Sequence, residues 1–375
     1  MSATPTAQTL VLRAHCELGR VSGEHVALSE AAAPTAEDVA PGGVLVRLLC
    51  LSADPYLRAG FAARGGRKVG DALAGFVSGE VLFSRAPAWA PGDFFGANLP
   101  FCTVQALPAA GVAGLRRLSG LPGFRGAEDV SLGIGALGMP GATAYGGLID
   151  VLRPTGGGAE VLLVTAATGA VGALVGQIAK RRFGCRVVGT AGTKAKCEHL
   201  TGALGFDAAV CYRDEETGAP LGAERLEAAF RAAAGPGGKL DMVFENVGGA
   251  AFDAAFRCLA PGGRIAVCGG ISEYNTGGIA ANTINPLQMI YTAQRIEGFV
   301  CGPWLSGARG SFLSDMAKWR EEKVFVAEET FFGGEGSASG SGVSLDARWG
   351  MYFRIDPPTV IPIPLAPTDP NLNIT

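Results

Sequence analysis

From about residue 128 onward, short apolar runs alternate with stretches of helical period. Residues 161–165 (VLLVT) are apolar or β-branched throughout, the composition of a strand buried on both faces. Apolar positions then recur at helical spacing through Leu174, Val175, Ile178 and Ala179. Lys180 and Arg181 follow where a helix C-terminus favours cations. The same texture predicts strands over 185–189, 208–212, 240–244, 264–268 and 296–301. Helices are predicted over 141–152, after Lys196, over 250–259 and before Arg295. Such alternation is the signature of a doubly wound parallel sheet.

The first third reads differently. Residues 8–30 give two strand-like segments, TLVLRA and HVALSE, and residues 44–52 (VLVRLLCLS) form an apolar strand running into Asp54-Pro55-Tyr56. Pro55 ends that strand and fixes a turn. Val69-Gly70-Asp71 and Ala90-Pro91-Gly92-Asp93 punctuate further short strands. Many short strands with Gly/Pro turns imply a partly open β-barrel-like domain.

Between the strand at 161–165 and its helix stands a turn of small residues, AATGAVG at 166–172. Strand, glycine turn and helix form the opening unit of a dinucleotide-binding fold. Gly169 permits the sharp turn, Gly172 lets backbone approach a pyrophosphate, and Gly176 lets the helix lie close to the sheet. Free N–H groups and the helix dipole supply the anion site. Ala167 fills the first position of the usual GxGxxG, so the pattern is a variant, and a merely packed βα turn is the alternative. After the next strand an NAD-specific fold places a carboxylate for the ribose 2′-hydroxyl. This chain has none before Glu198 and offers Lys194 and Lys196 instead, which favours NADP(H) over NAD(H). Solvated lysines on a helix start are the plainer alternative.

Composition narrows the partners. The 375 residues carry a net charge of −3 with no basic cluster, which argues against nucleic acid or an anionic membrane. Apolar runs break at Gly, Pro or charge before membrane-spanning length, and residues 1–16 lack a signal-peptide pattern, so a cytoplasmic protein is expected. The nine cysteines show no CxxC spacing, as reduced thiols do. His15, His25 and His199 are the chain's histidines, and none stands near a Cys–acid pair, so no metal site is expected.

Several motifs together resemble one family, the zinc-independent medium-chain dehydrogenase/reductases, in their prostaglandin reductase and alkenal/one double-bond reductase group. They are LSADPYLR (51–58), GMPGATAYGGL (138–148), AATGAVG, ENVGG (245–249), CGGISEYN (268–275) and QRIEGF (294–299), spread over about residues 10–332. The resemblance implies a GroES-like partly open β-barrel catalytic domain over 1–127 and a Rossmann NADP-binding domain over 128–301. It further implies a return to the catalytic domain over 302–334. It places Gly169, Ala170, Val171 and Gly172 on the phosphates and Gly192, Lys196 and Tyr212 at the adenosine end. The nicotinamide half falls to Asn246, Cys268, Gly269, Gly270, Ile271, Ser272, Tyr274, Phe299, Val300 and Cys301, with Tyr56 at the cleft floor. Relatives commonly pair through an edge strand, which implies a homodimer.

The implied chemistry is NADPH-dependent reduction of the C=C bond of alkenals, enones or oxo-prostaglandin-like lipids. A hydride delivered to the β-carbon leaves an enolate, whose oxygen needs a donor and whose α-carbon needs a proton. Tyr274 is the first candidate for that donor and Tyr56 the second; a loop-capping Tyr274, a core-packing Tyr56 and a turn-forming Asn246 are the alternatives. Quinone reduction and non-catalytic NADPH binding are the rival functions. Where the family continues with a helix and a closing segment bearing an Asn, this chain enters a Gly/Ser-rich stretch at 333–344 and a proline-rich one at 357–370. The region 335–375 is therefore expected to be poorly ordered or irregular.

Overall fold

The protein's structure, a computed structural model, describes residues 5–276, 282–332 and 350–354, with residues 331–332 and 350–354 described by backbone alone. Two units emerge, Met139–Glu328 and the chain on either side of it.

In the first unit β1 (Thr6–Leu12) pairs antiparallel with β2 (Val26–Ala32). The hub is β3 (Val44–Ser52), whose residues are buried at seven of nine positions, so it needs partners on both edges. It pairs antiparallel with β4 (Ala74–Ser84), which continues to β5 (Phe94–Pro100). On its other edge stands β6 (Val104–Leu107), followed by the short helix α1 (Ala109–Val112); β7 (Arg116–Arg117) pairs with β5. The crossing of β3 and β4 is tight: a Cβ on Gly79 would lie 2.1 Å from the Arg47 carbonyl oxygen, so only glycine fits there. Leu12, Val46, Leu48, Val77, Val81 and Phe95 fill the core between the strands.

The second unit begins with α2 (Met139–Tyr145), which runs into a π-helical stretch over Gly146–Leu152. A single helix is expected there. The widening accompanies close packing: a Cβ on Gly146 would lie 2.7 Å from the Trp304 ring, and one on Gly147 would lie 2.4 Å from Phe244 and 2.5 Å from Phe299. Then follow β8 (Val161–Val164), α3 (Ala170–Phe183), β9 (Arg186–Ala191), α4 (Lys194–Gly202), β10 (Ala208–Cys211) and α5 (Ala223–Ala234). The second half adds β11 (Leu240–Glu245), α6 (Gly249–Cys258), β12 (Leu259–Val267), α7 (Pro286–Thr292) and β13 (Arg295–Gly298). All strand pairs are parallel, in the order β10-β9-β8-β11-β12-β13. The order reverses between β8 and β11, the place where doubly wound sheets open a crevice at their carboxyl ends.

Two expected boundaries shift. Residues 302–328, expected to return to the barrel domain, stay with the second unit as α8 (Gly302–Leu305) and α9 (Phe312–Glu321). Buried polar contacts hold them there. The Tyr145 hydroxyl donates to Asp315 at 2.6 Å, and the Trp304 indole donates to Asp150 at 2.6 Å. Residues 128–138, expected in the nucleotide domain, belong to the first unit, where Ile134 and Val130 pack on Cys50 and Gly133 accepts from Arg116. β14 (Glu329–Phe332) closes the stretch 324–332. Its earlier residues are taken by α3: Gln177 donates to the Val326 carbonyl and accepts the Val326 amide, and Arg181 donates to the Val324 carbonyl.

Within the tail expected to be irregular, β15 (Gly350–Arg354) is a strand, parallel to β14 and antiparallel to β3. The rest of 335–375 lies outside the described residues. Among the described residues no helix is long and apolar enough to cross a membrane.

Candidate active site

The carboxyl ends of β8, β9, β10, β11 and β12 carry nearly every residue proposed for the cofactor. After β8 the chain turns through residues 165–169 into α3, with Gly169 as N-cap in an extended conformation (φ −78°). The sharp step expected at Gly169 is taken by Ala166, an L-residue at φ +48°. Thr190 braces it from β9, its hydroxyl accepting the Ala166 amide at 3.1 Å and its carbonyl the Ala167 amide at 2.9 Å. The opening amides of α3, those of Ala170, Val171 and Gly172, have no intrahelical acceptor and form an anion site. Gly172 is glycine for a local reason: a Cβ there would lie 2.6 Å from the Ala166 carbonyl oxygen. Gly176, expected to ease the helix onto the sheet, instead faces Phe206, whose ring leaves 1.9 Å for a Cβ.

At the end of β9, Gly192 lies under Tyr212; a Cβ on Gly192 would sit 2.7 Å from the phenol oxygen. Thr193 caps α4 by accepting the Lys196 amide at 3.3 Å, and no acid stands in the first turn of α4. Lys196 is half-buried and Lys194 exposed. Arg213, which the sequence reading passed over, stacks on the Tyr212 ring with 5.5 Å to its centroid. Gly192 and Tyr212 are thus neighbours, and Lys196 follows in the first turn of α4.

Beyond β11 and β12 opens a cavity of about 520 Å³, lined by Glu245, Gly248, Phe252, Val267, Cys268, Gly269, Gly270, Glu273, Asn282, Gly298, Phe299 and Val300. Five of these stood among the proposed nicotinamide residues: Cys268, Gly269, Gly270, Phe299 and Val300. Asn246 sits behind the wall. Its side-chain amide donates to the Thr165 carbonyl at 2.7 Å, its backbone amide donates to the Thr165 hydroxyl at 2.8 Å, and its Oδ1 accepts from the Cys268 thiol at 3.0 Å. Ile271 and Ser272 form the following 3-10 turn with Glu273, the Ser272 hydroxyl donating to the Val247 carbonyl at 2.6 Å. Cys301 precedes α8 as its N-cap. The Tyr274 phenol lies over Gly269, 3.5 Å from where a Cβ would be, and makes no hydrogen bond among the described residues.

Tyr56 belongs to the first unit. Its oxygen accepts the Phe76 amide at 3.0 Å and its ring meets Phe76 edge-on.

Sequence reasoning missed Glu245, although it stands in the ENVGG motif as a charge closing an apolar strand. It is fully buried, and Oε1 accepts the amides of Val247 and Gly248 at 2.6 Å each. Burial pushes its carboxyl up to about 7, against the two amides and the Thr165 hydroxyl, which favour the ionised form. Burial, and after it the Glu245 charge, pushes the Cys268 thiol well above the usual range.

Residues 170–318 match the family described as zinc-binding dehydrogenase, and residues 8–115 match the N-terminal domain of oxidoreductase. The chain is 38% identical over 281 residues to prostaglandin reductase 1 of Rattus norvegicus, spanning 75% of this chain and 79% of that protein. It is 36% identical over 305 residues to the NADPH-dependent curcumin reductase of Escherichia coli (strain K12), spanning 78% and 82%. The crystal structure of CurA from Vibrio vulnificus in complex with NADPH superposes with a TM-score of 0.72 at 27% identity, covering 94% of this chain and all of that one.

The zinc named in the first description does not fit the side chains here. His15 hydrogen-bonds the Arg67 carbonyl, His25 is caught by Ser22, and His199 pairs with Glu328. Among the described residues no three His, Cys, Asp or Glu side chains gather at ligand distance.

Proposed function

The chain belongs to the prostaglandin reductase group of the medium-chain dehydrogenase/reductases, and from that membership we propose that it uses NADPH to reduce the C=C bond of α,β-unsaturated aldehydes and ketones. The observation that carries this reading is the line of features along the carboxyl edge of one parallel sheet. The Gly192–Tyr212 contact with Lys196 and no acid in the first turn of α4, the amide-rich start of α3, and the cavity whose Gly269 lies by the Tyr274 phenol stand at the ends of successive strands. Bound NADPH supplies a hydride to the substrate β-carbon.

The chain's residues do the rest. The α3 amides of Ala170, Val171 and Gly172 receive the pyrophosphate, and Lys196 and Tyr212 receive the 2′-phosphate. Phe299 and the backbone at Cys268, Gly269 and Gly270 wall the ring. Tyr274 hydrogen-bonds the enolate oxygen through its hydroxyl, and the α-carbon takes its proton from water. The protein works in the cytoplasm, in keeping with nine free cysteines. It is a homodimer joined at the edge strand β13.

Loss of NADPH absorbance with 2-alkenals, simple enones, a 15-oxo-prostaglandin and quinones tests the reading. Alkenal or enone turnover is expected, lowered about 10- to 100-fold by Tyr274→Phe with little change in NADPH affinity. Turnover of quinones alone, or of none of these while NADPH binds, removes it.

A further inference from the structure

Among the described residues the buried carboxyl in the cavity wall has no partner of opposite sign. Glu245 accepts two amides on Oε1, while Oε2 is buried and completes no hydrogen bond. The groups that favour its ionised form are those amides and the Thr165 hydroxyl, none of them a cation. Titratable neighbours from the facing elements add no positive charge either. Cys268, at the end of β12, holds its proton, and Glu273, in the 3-10 turn, approaches the same Gly248. A carboxyl that ionises near neutral pH thus stands in the wall of a cavity with no cation beside it among the described residues, an arrangement that a cation entering the cavity favours once the carboxyl is ionised. A reduced nicotinamide ring is neutral and its oxidised form is a cation, and low dielectric strengthens their difference toward a nearby carboxylate.

We propose that Glu245 is the countercharge of the nicotinamide ring, favouring the oxidised cofactor over the reduced one and so lowering the barrier to hydride departure. This rests on the reading of the cavity as the nicotinamide site. The role is electrostatic and acts through space, since Glu245 is shielded from solvent.

The test is a pair of calorimetric titrations, NADP+ and NADPH into the full chain, repeated from pH 5.5 to 8.5. Both forms carry the same phosphates, whose titration cancels in the ratio of dissociation constants. NADP+ is expected to gain about tenfold on NADPH as Glu245 ionises through about pH 7. Glu245→Gln keeps an acceptor for the two amides and is expected to abolish that gain, leaving NADPH affinity within about twofold; Glu245→Asp, which keeps a carboxylate, is expected to restore it. A ratio that stays flat with pH in the natural chain overturns the proposal even if the Gln variant fails to fold. So does an identical pH response in Glu245→Gln. If neither cofactor form binds, the reading of the site falls and this inference with it; if both bind with an unchanged ratio, this inference falls alone.

Discussion

Ala166 holds a left-handed backbone without being glycine, a conformation that costs an L-residue about 1 kcal/mol. Thr190 secures it from the neighbouring strand. Replacing it with glycine, Ala166→Gly, removes the strain at a smaller cost in chain entropy, and is expected to raise stability by about 0.5 kcal/mol, read from a urea denaturation midpoint at constant slope. Glu245 poses a proton problem of the opposite kind. Its carboxyl is raised from 4.5 to about 7 by burial, so the folded state binds its proton more tightly than the unfolded chain does. The stabilisation it gives is complete below about pH 4.5 and is lost as pH rises through about 7. The stability of Glu245→Gln relative to the natural chain is therefore expected to climb from pH 5 to pH 8 in parallel denaturations; a constant difference contradicts it. None of this was legible in sequence. A glutamate ending an apolar strand looks like a solvent-facing terminus until its two amide donors, three and two residues on, are seen to fold back onto it.

At the scale of elements, the strands of the second unit were readable because each is buried on both faces and shows as an apolar run. The glycine turn was readable because strand and helix flank it. The π-helical widening after α2 was not, because it goes with rings from β11 and the segment before α8, far along the chain. The late start of β14 was hidden for the same reason, being set by Gln177 and Arg181 on α3. The element proposed to sort the cofactors is the start of α4, where Thr193 caps the helix and Lys196 stands half-buried in the first turn. Lys196→Ala is expected to weaken NADPH binding about 10- to 100-fold and to leave NADH binding nearly unchanged, as fluorescence titration will read. Equal losses for both cofactors contradict a 2′-phosphate role.

The whole molecule divides where side-chain contacts change allegiance, not where composition does. Residues 302–328 look like a return to the barrel because the family motif ends near 299, yet Tyr145, Asp150 and Gln177 tie them to the nucleotide unit. Among the described residues β13 is the edge strand of its sheet, and Leu287, Ile290 and Tyr291 on α7, with Val300 after β13, stand exposed, Tyr291 at 82%. An apolar patch beside an open strand edge favours pairing with a second copy. Light scattering is expected to give twice the 38.2 kDa chain mass, and the double variant Ile290→Glu with Tyr291→Glu the single mass. A single mass for the natural chain at micromolar concentration contradicts the dimer.

Asn246 donates its side-chain and backbone amides to Thr165 and accepts the Cys268 thiol on its side-chain oxygen, so one residue joins the segment opening the turn before α3 to the loop after β12. The two ends of the groove therefore share a keystone. On the proposed reading of the site, a redesign of the loop after β12 that moves Cys268 also disturbs the turn before α3, so the two can be altered independently only by substitutions that leave this one asparagine seated.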